Sequence, residues 1–297
     1  VQSFLKNCNL PVVVKADGLA AGKGVTICKT RNKVQKTAEE IFKGKFKSST
    51  KVVLEEFLKG VEASYFIIAD NNEFKFFGTA QDHKRAFEKD KGPNTGGMGA
   101  YSPAPIVTKI IEKKIISKII HPTLKALKKN KNPYNGFLYV GLMIRNNEPY
   151  LIEYNIRMGD PECQVILPRL KTDIVKIFKS TTENRLKNVK IKWKNQKCMT
   201  IVLCAKGYPG SYKKNLKINN INEIKLSKED FIYHAGTKII NKELRSNGGR
   251  VLNITSIGKN FLKIRNKILM IIKRLKWKSG FYRRDIGWKV IKENENN

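Results

Sequence analysis

Acidic residues are scarce in this chain of 297 residues. There are 25 Asp and Glu against 59 Lys and Arg, which gives a formal net charge of +34. Such an imbalance is typical of proteins that bind nucleic acid. Here the positive charge is mostly lysine, spread along the chain beside abundant Asn and Ile rather than gathered in one tail. We therefore interpret it as solvated surface and expect no nucleic-acid partner.

Long apolar runs and metal-ligand patterns are also missing. No stretch reaches the roughly 18 apolar residues that a membrane-spanning helix needs, so we expect no membrane partner. The five cysteines form no CxxC pair and have no histidine at zinc-site spacing. They indicate free thiols in a reducing compartment, the cytoplasm. The chain begins Val-Gln-Ser, with neither an initiator Met nor a signal peptide; this predicts a processed or truncated polypeptide.

The usual nucleotide-binding signatures, the P-loop and the dinucleotide fingerprint, are absent as well. Instead, two other glycine-rich segments occur, at residues 15–24 (KADGLAAGKG) and 92–99 (GPNTGGMG). Glycines allow several backbone N–H groups to converge on an anion, and Lys15 and Lys23 add positive charge. Either segment alone is equally typical of an ordinary surface turn. Together they predict binding of a nucleoside triphosphate.

The order of apolar segments predicts a mixed helix and strand protein. We expect a strand at 11–14 that ends at Lys15, and further strands at 25–28, 52–58, 62–69 and 74–77, the last three forming an antiparallel meander. Helical spacing of apolar residues predicts helices at 32–43, at 106–127 with a restart at Pro122, and at 261–275.

Two further predicted strands, 137–144 and 149–155, flank the turn signal Asn146-Asn147. The second carries Glu153 and Asn155, whose two-residue spacing places both side chains on one face of the sheet. A carboxylate and an amide oxygen beside a phosphate site suit Mg²⁺, although an isolated pair also suits a solvated polar face. Arg157 follows in a turn and is suited to bidentate binding of an anion.

These segments, taken together, resemble one known family. The glycine-rich segments, Glu153-Tyr-Asn155 with Arg157, and three further segments are similar in sequence and order to phosphoribosylamine–glycine ligases. The three further segments are Gln81-Asp-His-Lys-Arg85, Gly159-Asp-Pro-Glu162 and Asp285-Ile-Gly-Trp288. The resemblance covers essentially the whole chain.

The resemblance implies an α+β, ATP-grasp fold, in which two α+β subdomains clasp ATP, with a small C-terminal α/β subdomain. Residues 1–57 would form most of the lid, 58–190 the central subdomain and 191–297 the C-terminal subdomain. The family's N-terminal, dinucleotide-fold-like domain lies outside this sequence. The implied reaction joins glycine to 5-phosphoribosylamine through glycyl phosphate and uses ATP with Mg²⁺ or Mn²⁺. A monomer is expected unless a separate N-terminal domain pairs with the chain.

The resemblance also implies site residues. ATP contacts are expected from Lys15, Gly22, Lys23, Gly24, Glu55, Glu56, Leu58 and Glu62. Substrate contacts are expected from Asp82, His83, Arg85, Asn94, Gly97, Arg157 and Asp160. Asp82 and Arg157 would act in catalysis, and Glu153 and Asn155 would bind the metal.

Three alternatives remain open from the sequence. Another ATP-grasp carboxylate–amine ligase would keep the lysine loop and the metal pair but lack the 81–85 and 159–162 segments. A truncated remnant would bind ATP without turnover. A basic nucleic-acid-binding protein would show affinity that depends steeply on salt and not on Mg-ATP.

Overall fold

The computed structural model describes residues 1–18, 24–46, 49–278 and 280–295. These residues divide into two compact units, Val1–Lys59 and a second unit that begins at Gly60. This boundary lies two residues from the expected one at 57/58. The expected boundary at 190/191 falls inside the second unit, and the three-part division stays a prediction.

The first unit is a small antiparallel sheet covered by helices. Its elements are α1 (Gln2–Asn7), β1 (Val12–Ala16), β2 (Val25–Cys28), α2 (Arg31–Glu40) and β3 (Val52–Glu56). The strand order is β2-β1-β3, and a π-helical turn, Ile41–Lys45, extends α2. Helix α2 begins where the Thr30 hydroxyl accepts the Lys33 N–H, which satisfies one free donor of the first turn. Buried apolar side chains form its core: Leu5, Val12, Val14, Cys28, Val34 and Ile41.

The position of β3 corrects the predicted three-strand meander. β3 pairs with β1 in the first unit, whereas the following two strands pair with each other in the second unit. The prediction was therefore wrong for β3 and confirmed for the hairpin that follows. An alternating pattern identifies a strand but does not specify its neighbour, and β3 packs Val52 and Leu54 against the first unit's core.

The second unit is larger and mixes strands with helices. Its strands are β4 (Val61–Ala69), β5 (Phe74–Asp82), β6 (Arg85–Phe87), β7 (Lys91–Asn94), β8 (Gly99–Ser102), β9 (Gly136–Arg145), β10 (Glu148–Asn155), β11 (Lys197–Ala205), β12 (Asp230–His234), β13 (Thr237–Ile240), β14 (Glu243–Ser246), β15 (Arg250–Gly258) and β16 (Gly280–Phe281). Its helices are α3 (Lys109–Ile115), α4 (His121–Lys129), α5 (Cys163–Ile166), α6 (Ile174–Thr182), α7 (Phe261–Leu275) and α8 (Trp288–Glu295).

Most of these strands form one sheet. Among the described residues the order is β10-β9-β4-β5-β8-β11-β15-β12, with β16 beside β11. β8 pairs with β5 on one side and β11 on the other, so the C-terminal strands continue the sheet of the central strands. The sheet therefore brings the ends of β5, β8 and β10, which carry the predicted site residues, into one unit.

Several sequence predictions are confirmed here. The hairpin β9–β10 turns at Asn146-Asn147, both with positive φ, as the dipeptide predicts. Helix α7 has the predicted bounds and packs its apolar face on the C-terminal strands. The predicted 106–127 helix is α3 and α4 joined by a π-helical turn, with Pro122 in the first turn of α4, where its missing N–H is tolerated.

Candidate functional site

The predicted phosphate-contacting lysine lies on β1, in the centre of the first unit's sheet. Lys15 Nζ is 2.6 Å from Glu55 Oε2 on β3, and the two side chains are 18% and 41% exposed. The glycine segment leaves β1 and returns at Gly24, whose carbonyl accepts the Ala16 N–H at 2.9 Å. Gly22 and Lys23 lie outside the described residues. Two predicted ATP contacts, Lys15 and Glu55, are thus close to each other.

The remaining predicted ATP contacts follow β3 along the chain. Glu56 is exposed at the end of the strand, and Leu58 is half-buried just before the unit boundary. Glu62 lies near the start of β4, in the second unit, and its carboxylate is 3.2 Å from Lys84 Nζ. Contacts between these residues and ATP stay predictions.

The predicted metal pair lies on β10, the edge strand of the large sheet. Asn155 Nδ2 donates to Glu153 Oε1 at 3.4 Å, which confirms that the two side chains share a face. Glu153 is exposed and Asn155 half-buried, so both oxygens are accessible to an incoming cation. The described residues contain no cluster of three or more His, Cys, Asp or Glu side chains suited to hold a metal ion. A hard cation at this pair would take its other oxygen ligands from phosphate and water.

A narrow recess opens beside the metal pair. It is lined by Glu62, Ala63, Ser64, Asp82, Lys84, Tyr139, Gly141, Leu142, Ile152 and Glu153. Enclosure by protein favours the neutral amine of Lys84, but the carboxylates around it, Glu62 foremost, outweigh this effect and raise the pKa of Lys84. The recess therefore holds a permanent cation among carboxylates. Three of the predicted site residues line this recess: Glu62, Asp82 and Glu153.

Two carboxyl groups lie at and behind this recess, that of the half-buried Asp82 and that of the buried Glu162. Burial raises the pKa of both, and the charge of Glu162 raises that of Asp82 further. Ser64 Oγ donates to Glu162 Oε1 at 3.1 Å, whereas Asp82 Oδ1 has no hydrogen-bond partner within the part of the chain that the structure describes. A buried acceptor without a donor costs free energy, so this oxygen is poised to receive a donor such as an ammonium group.

Glu162 was not among the predicted site residues, although it ends the segment Gly159-Asp-Pro-Glu162 that carried part of the resemblance. A side chain at position 159 would clash with the Glu162 carboxylate, so the glycine makes room for that acid. The segment that contains Glu162 was recognised in the sequence, but the position of Glu162 beside Asp82 depends on long-range packing.

The second glycine-rich segment folds over Asp82. Gly97 has φ +114°, and a Cβ there would overlap Pro161 Cδ and lie 2.8 Å from Asp82 Oδ1. Thr95 Oγ1 accepts the Gly97 N–H at 3.0 Å and donates to the Lys84 carbonyl at 2.9 Å. The glycine is therefore required both by its backbone conformation and by its close approach to the carboxylate.

Asp160 is held by an arginine of the C-terminal strands. Arg250 Nη2 donates to Asp160 Oδ2 at 2.8 Å, and its Nη1 donates to the carbonyls of Gly96 and Asp160 at 2.6 and 2.7 Å. Arg250 thus ties the Gly96 turn to the Asp160 turn.

The other predicted substrate-contacting residues lie outside the lining of the recess. His83 is buried, and its Nε2 accepts the Gly287 N–H at 3.1 Å. Burial, followed by the nearby Arg283, lowers the pKa of His83 to about 4, so its ring is neutral at pH 7. Arg85 donates to the Gly92 carbonyl at 2.9 Å within the β6–β7 hairpin, and Asn94 is exposed at the hairpin's end.

Arg157 lies two residues beyond Asn155. Its side chain is exposed, and its Nη1 donates to the Met158 carbonyl at 2.9 Å. The guanidinium is accessible next to the metal pair, which suits the predicted contact with an anion.

Comparison with known proteins identifies the family. Residues 1–163 match the family model of the phosphoribosylglycinamide synthetase ATP-grasp (A) domain, and residues 198–289 match that of its C domain. The phosphoribosylamine–glycine ligase of Agrobacterium fabrum is 44% identical over 98% of this chain and 68% of its own length. That of Brucella melitensis is 39% identical over the whole chain and 70% of its own length.

Solved structures agree with the sequence comparisons. The crystal structure of the phosphoribosylamine–glycine ligase of Thermotoga maritima matches with a TM-score of 0.84 at 32% identity, covering 96% of this chain and 71% of its own. The N5-carboxyaminoimidazole ribonucleotide synthetase of Thermus thermophilus matches with a TM-score of 0.59 at 15% identity, over 92% of this chain and 64% of its own, which supports the fold alone. Together with the recess beside β10, these matches confirm the expected fold, and the chain belongs to the phosphoribosylamine–glycine ligase family of ATP-grasp enzymes, ATP-dependent ligases of purine biosynthesis.

Proposed function

We propose that this chain joins glycine to 5-phosphoribosylamine at the recess beside β10, converting ATP to ADP and phosphate. The observation that carries this assignment is the position of Glu153. It pairs with Asn155 on an accessible oxygen face, and it also lines the recess that contains Asp82. A phosphate group held at the pair would therefore lie next to a half-buried carboxylate suited to bind an amine.

The first chemical step needs anions to be brought together and their charge neutralised. The glycine carboxylate attacks the γ-phosphorus, the bond to the ADP oxygen breaks, and glycyl phosphate forms. Lys15 and the segment that ends at Gly24, which includes the predicted contacts Gly22 and Lys23, would hold the phosphates. The backbone of Glu55, Glu56 and Leu58 would contact the nucleotide base, and Glu62 its ribose.

Glu153 and Asn155 fit Mg²⁺ or Mn²⁺ by donor type, since both present oxygens and both are accessible. The bound cation would neutralise phosphate charge at this edge of the sheet. The role of the chain is to fix the two oxygens on one rigid strand, so that the cation and the recess keep a constant separation.

Asp82 would orient the substrate by accepting hydrogen bonds from the glycine ammonium group. Its Oδ1 is buried without a partner among the described residues, and Glu162 stands beside it as a second acid. An ammonium group would stabilise the ionised form of Asp82.

In the second step the amine of 5-phosphoribosylamine attacks the acyl carbon, the bond to phosphate breaks, and the amide of glycinamide ribonucleotide forms. The amine loses a proton as the bond forms, and the departing phosphate takes it up and leaves as hydrogen phosphate. Arg157, exposed beside the metal pair, would stabilise the oxyanion of the tetrahedral intermediate and the departing phosphate. The phosphoribosyl group would be contacted by Arg85, Asn94 and Asp160. The buried His83 would hold the neighbouring backbone in place through its bond to the Gly287 N–H.

The proposal also covers the cellular compartment and the oligomeric state of the enzyme. All five cysteines are free, which suits a reducing compartment, and we assign the chain to the cytoplasm. No described helix is both long and apolar enough to cross a bilayer. We expect a monomer unless the chain pairs with a separate N-terminal domain; sedimentation would establish this.

The test is ADP release that depends on both glycine and 5-phosphoribosylamine, measured with and without an added N-terminal domain from a relative. Asp82→Asn and Glu153→Gln should abolish most of it. Glu148→Gln is the matched control, because Glu148 lies on the same strand but pairs with Lys114 and Lys118 at the surface. ATP binding without glycine-dependent turnover under both conditions would contradict the proposal and favour a nucleotide-binding remnant.

A further inference from the structure

Arg283, near the C-terminus, is buried, with a side chain only 1% exposed. Its guanidinium binds Asp285 through both nitrogens of one edge, Nε to Oδ1 at 2.8 Å and Nη2 to Oδ2 at 2.9 Å. Its Nη1 donates to Asp90 Oδ1 at 2.9 Å and to the Arg85 carbonyl at 3.1 Å. One side chain therefore connects the C-terminal segment to both the start of β6 and the turn after it, almost 200 residues earlier in the chain.

Other contacts join the same two segments. The Lys89 N–H donates to Asp285 Oδ2 at 2.7 Å, and Lys289 Nζ is 2.8 Å from Asp90 Oδ2. Lys89 and Asp90 form the tip of the β6–β7 hairpin with φ of +56° and +54°, a conformation that non-glycine residues adopt only when their surroundings impose it. The C-terminal segment supplies those surroundings.

We propose that Arg283 is a positioning residue for the substrate recess: it holds the β6–β7 hairpin (residues 85–94) in place and so sets the affinity for the amine substrates without touching them. The inference rests on the proposed function for its kinetic consequence. The claim that Arg283 keeps the hairpin ordered does not depend on that function.

The path from Arg283 to the recess is short. The Arg85 carbonyl that Arg283 binds is one residue from Lys84, which lines the recess. The Lys84 carbonyl accepts the Thr95 hydroxyl, and that hydroxyl in turn accepts the Gly97 N–H beside Asp82. A shift of the hairpin would therefore displace both Lys84 and the glycine turn over Asp82.

Arginine is suited to this role because its planar fork binds two carboxylates and a carbonyl at once. Lysine would reach one of them. Removal of the guanidinium would take a donor from Asp285, from Asp90 and from the Arg85 carbonyl, and the half-exposed Lys289 would still pair with Asp90, so the hairpin would be held less firmly. The hairpin would lose stability before the rest of the unit, because β6 and β7 are short and pair only with each other in the described residues.

The experiment compares wild type with Arg283→Met, Arg283→Lys and the control Arg169→Met. Arg169 is a half-buried arginine that donates to the Gln196 carbonyl and the Ser102 hydroxyl and does not contact the hairpin. Amide hydrogen exchange by mass spectrometry follows residues 84–97, and steady-state kinetics gives KM for glycine, 5-phosphoribosylamine and ATP.

We expect Arg283→Met to raise exchange in 84–97 by at least about 10-fold, with smaller changes elsewhere. KM for an amine substrate should rise about 10-fold and KM for ATP less than about twofold. Arg283→Lys should recover part of both effects, and Arg169→Met should show neither. Should Arg283→Met fail to fold, Asp90→Asn removes one partner at a 30% exposed position and should give the same hairpin-confined rise.

Unchanged exchange in 84–97 of the folded variant would overturn the inference, as would a parallel rise of KM for ATP and the amines. A wild type without glycine-dependent ADP release would instead overturn the proposed function. Hydrogen exchange would then decide the positioning role of Arg283 by itself.

Discussion

The two units of the chain hold the carboxylates of the candidate site in different ways. In the first unit, Lys15 reaches across an open sheet to Glu55, and the glutamate side chain is 41% exposed. In the second unit, Ser64 and Glu162 are at most 5% exposed and are joined by a hydrogen bond to each other. The first arrangement can exchange partners in solvent, whereas the second is fixed by packing.

This difference suggests that the first unit serves nucleotide binding and the second unit serves substrate positioning. A lysine that pairs with a surface carboxylate can transfer to a phosphate at modest cost, because exposed ion pairs contribute little to stability. A buried acid cannot be repositioned when substrate arrives, so its geometry must exist beforehand. We therefore expect substitutions in the first unit to alter nucleotide affinity and those in the second to alter turnover or stability.

The largest expected effect is in the second unit. Glu153→Ala should lower kcat by more than about 100-fold, because it removes an oxygen from both the metal pair and the recess wall. Raising Mn²⁺ should not restore the rate, whereas it should for a variant that merely weakens metal affinity. Turnover close to wild type would remove Glu153 from the site.

Lys15→Ala should act mainly on nucleotide binding. A lysine–phosphate contact at about 4 Å has a Coulomb term on the order of 4 kcal/mol at an effective dielectric of about 20. Part of this is offset by loss of the Glu55 pair, so we expect Kd for Mg-ATP, measured by calorimetry, to rise about 30-fold. A change in kcat with unaltered ATP affinity would contradict the division between the units.

Acid should destabilise the second unit through His83 and leave the first unit unaffected by histidine titration, because all three histidines lie in the second unit. The pKa of His83 is about 4 in the folded chain and about 6.5 when unfolded, so the unfolded state binds the proton first and stability falls as pH falls from 6.5 toward 4. Between pH 7 and pH 5 this should cost about 2 kcal/mol.

His83→Gln isolates that contribution. Its side-chain carbonyl can accept the Gly287 N–H that the imidazole accepts, but it does not titrate. Urea unfolding of both proteins at pH 7 and pH 5 should show the variant gaining about 2 kcal/mol relative to wild type at the lower pH. Parallel pH profiles would show that His83 is not held neutral.

The smallest effect should follow Glu55→Gln. Loss of a partly exposed ion pair costs at most about 1 kcal/mol, and the substitution leaves the Lys15 ammonium group in place to bind phosphate. Kd for Mg-ATP should therefore stay within about threefold of wild type. A loss as large as that of Lys15→Ala would show that the Glu55 carboxylate contacts the nucleotide directly.

The sequence predicted the local features of the fold and much of the site. The Asn146-Asn147 turn, the shared face of Glu153 and Asn155, and helix α7 depend on nearby residues and are confirmed. The assignment of β3 to a meander was wrong, because strand pairing is decided by packing that alternation does not encode.

The interior of the site was harder to predict. Glu162 meets Ser64 across 98 residues, and Arg283 meets Asp90 across 193. Neither pair has a local signature, since a buried acid or arginine looks in sequence like any charged surface residue of this strongly basic chain. Only the fold shows which of the 59 basic residues is enclosed.

The pairing of β8 with both β5 and β11 has a consequence for how the protein can be divided. Residues 99–102 cannot be completed until residues 198–201 have been synthesised and have paired with them. A fragment that stops near residue 190 would present an open strand edge, which is a template for aggregation. Closing so long a loop is also slow, so during translation the edge of β8 would stay unpaired until β11 has been made.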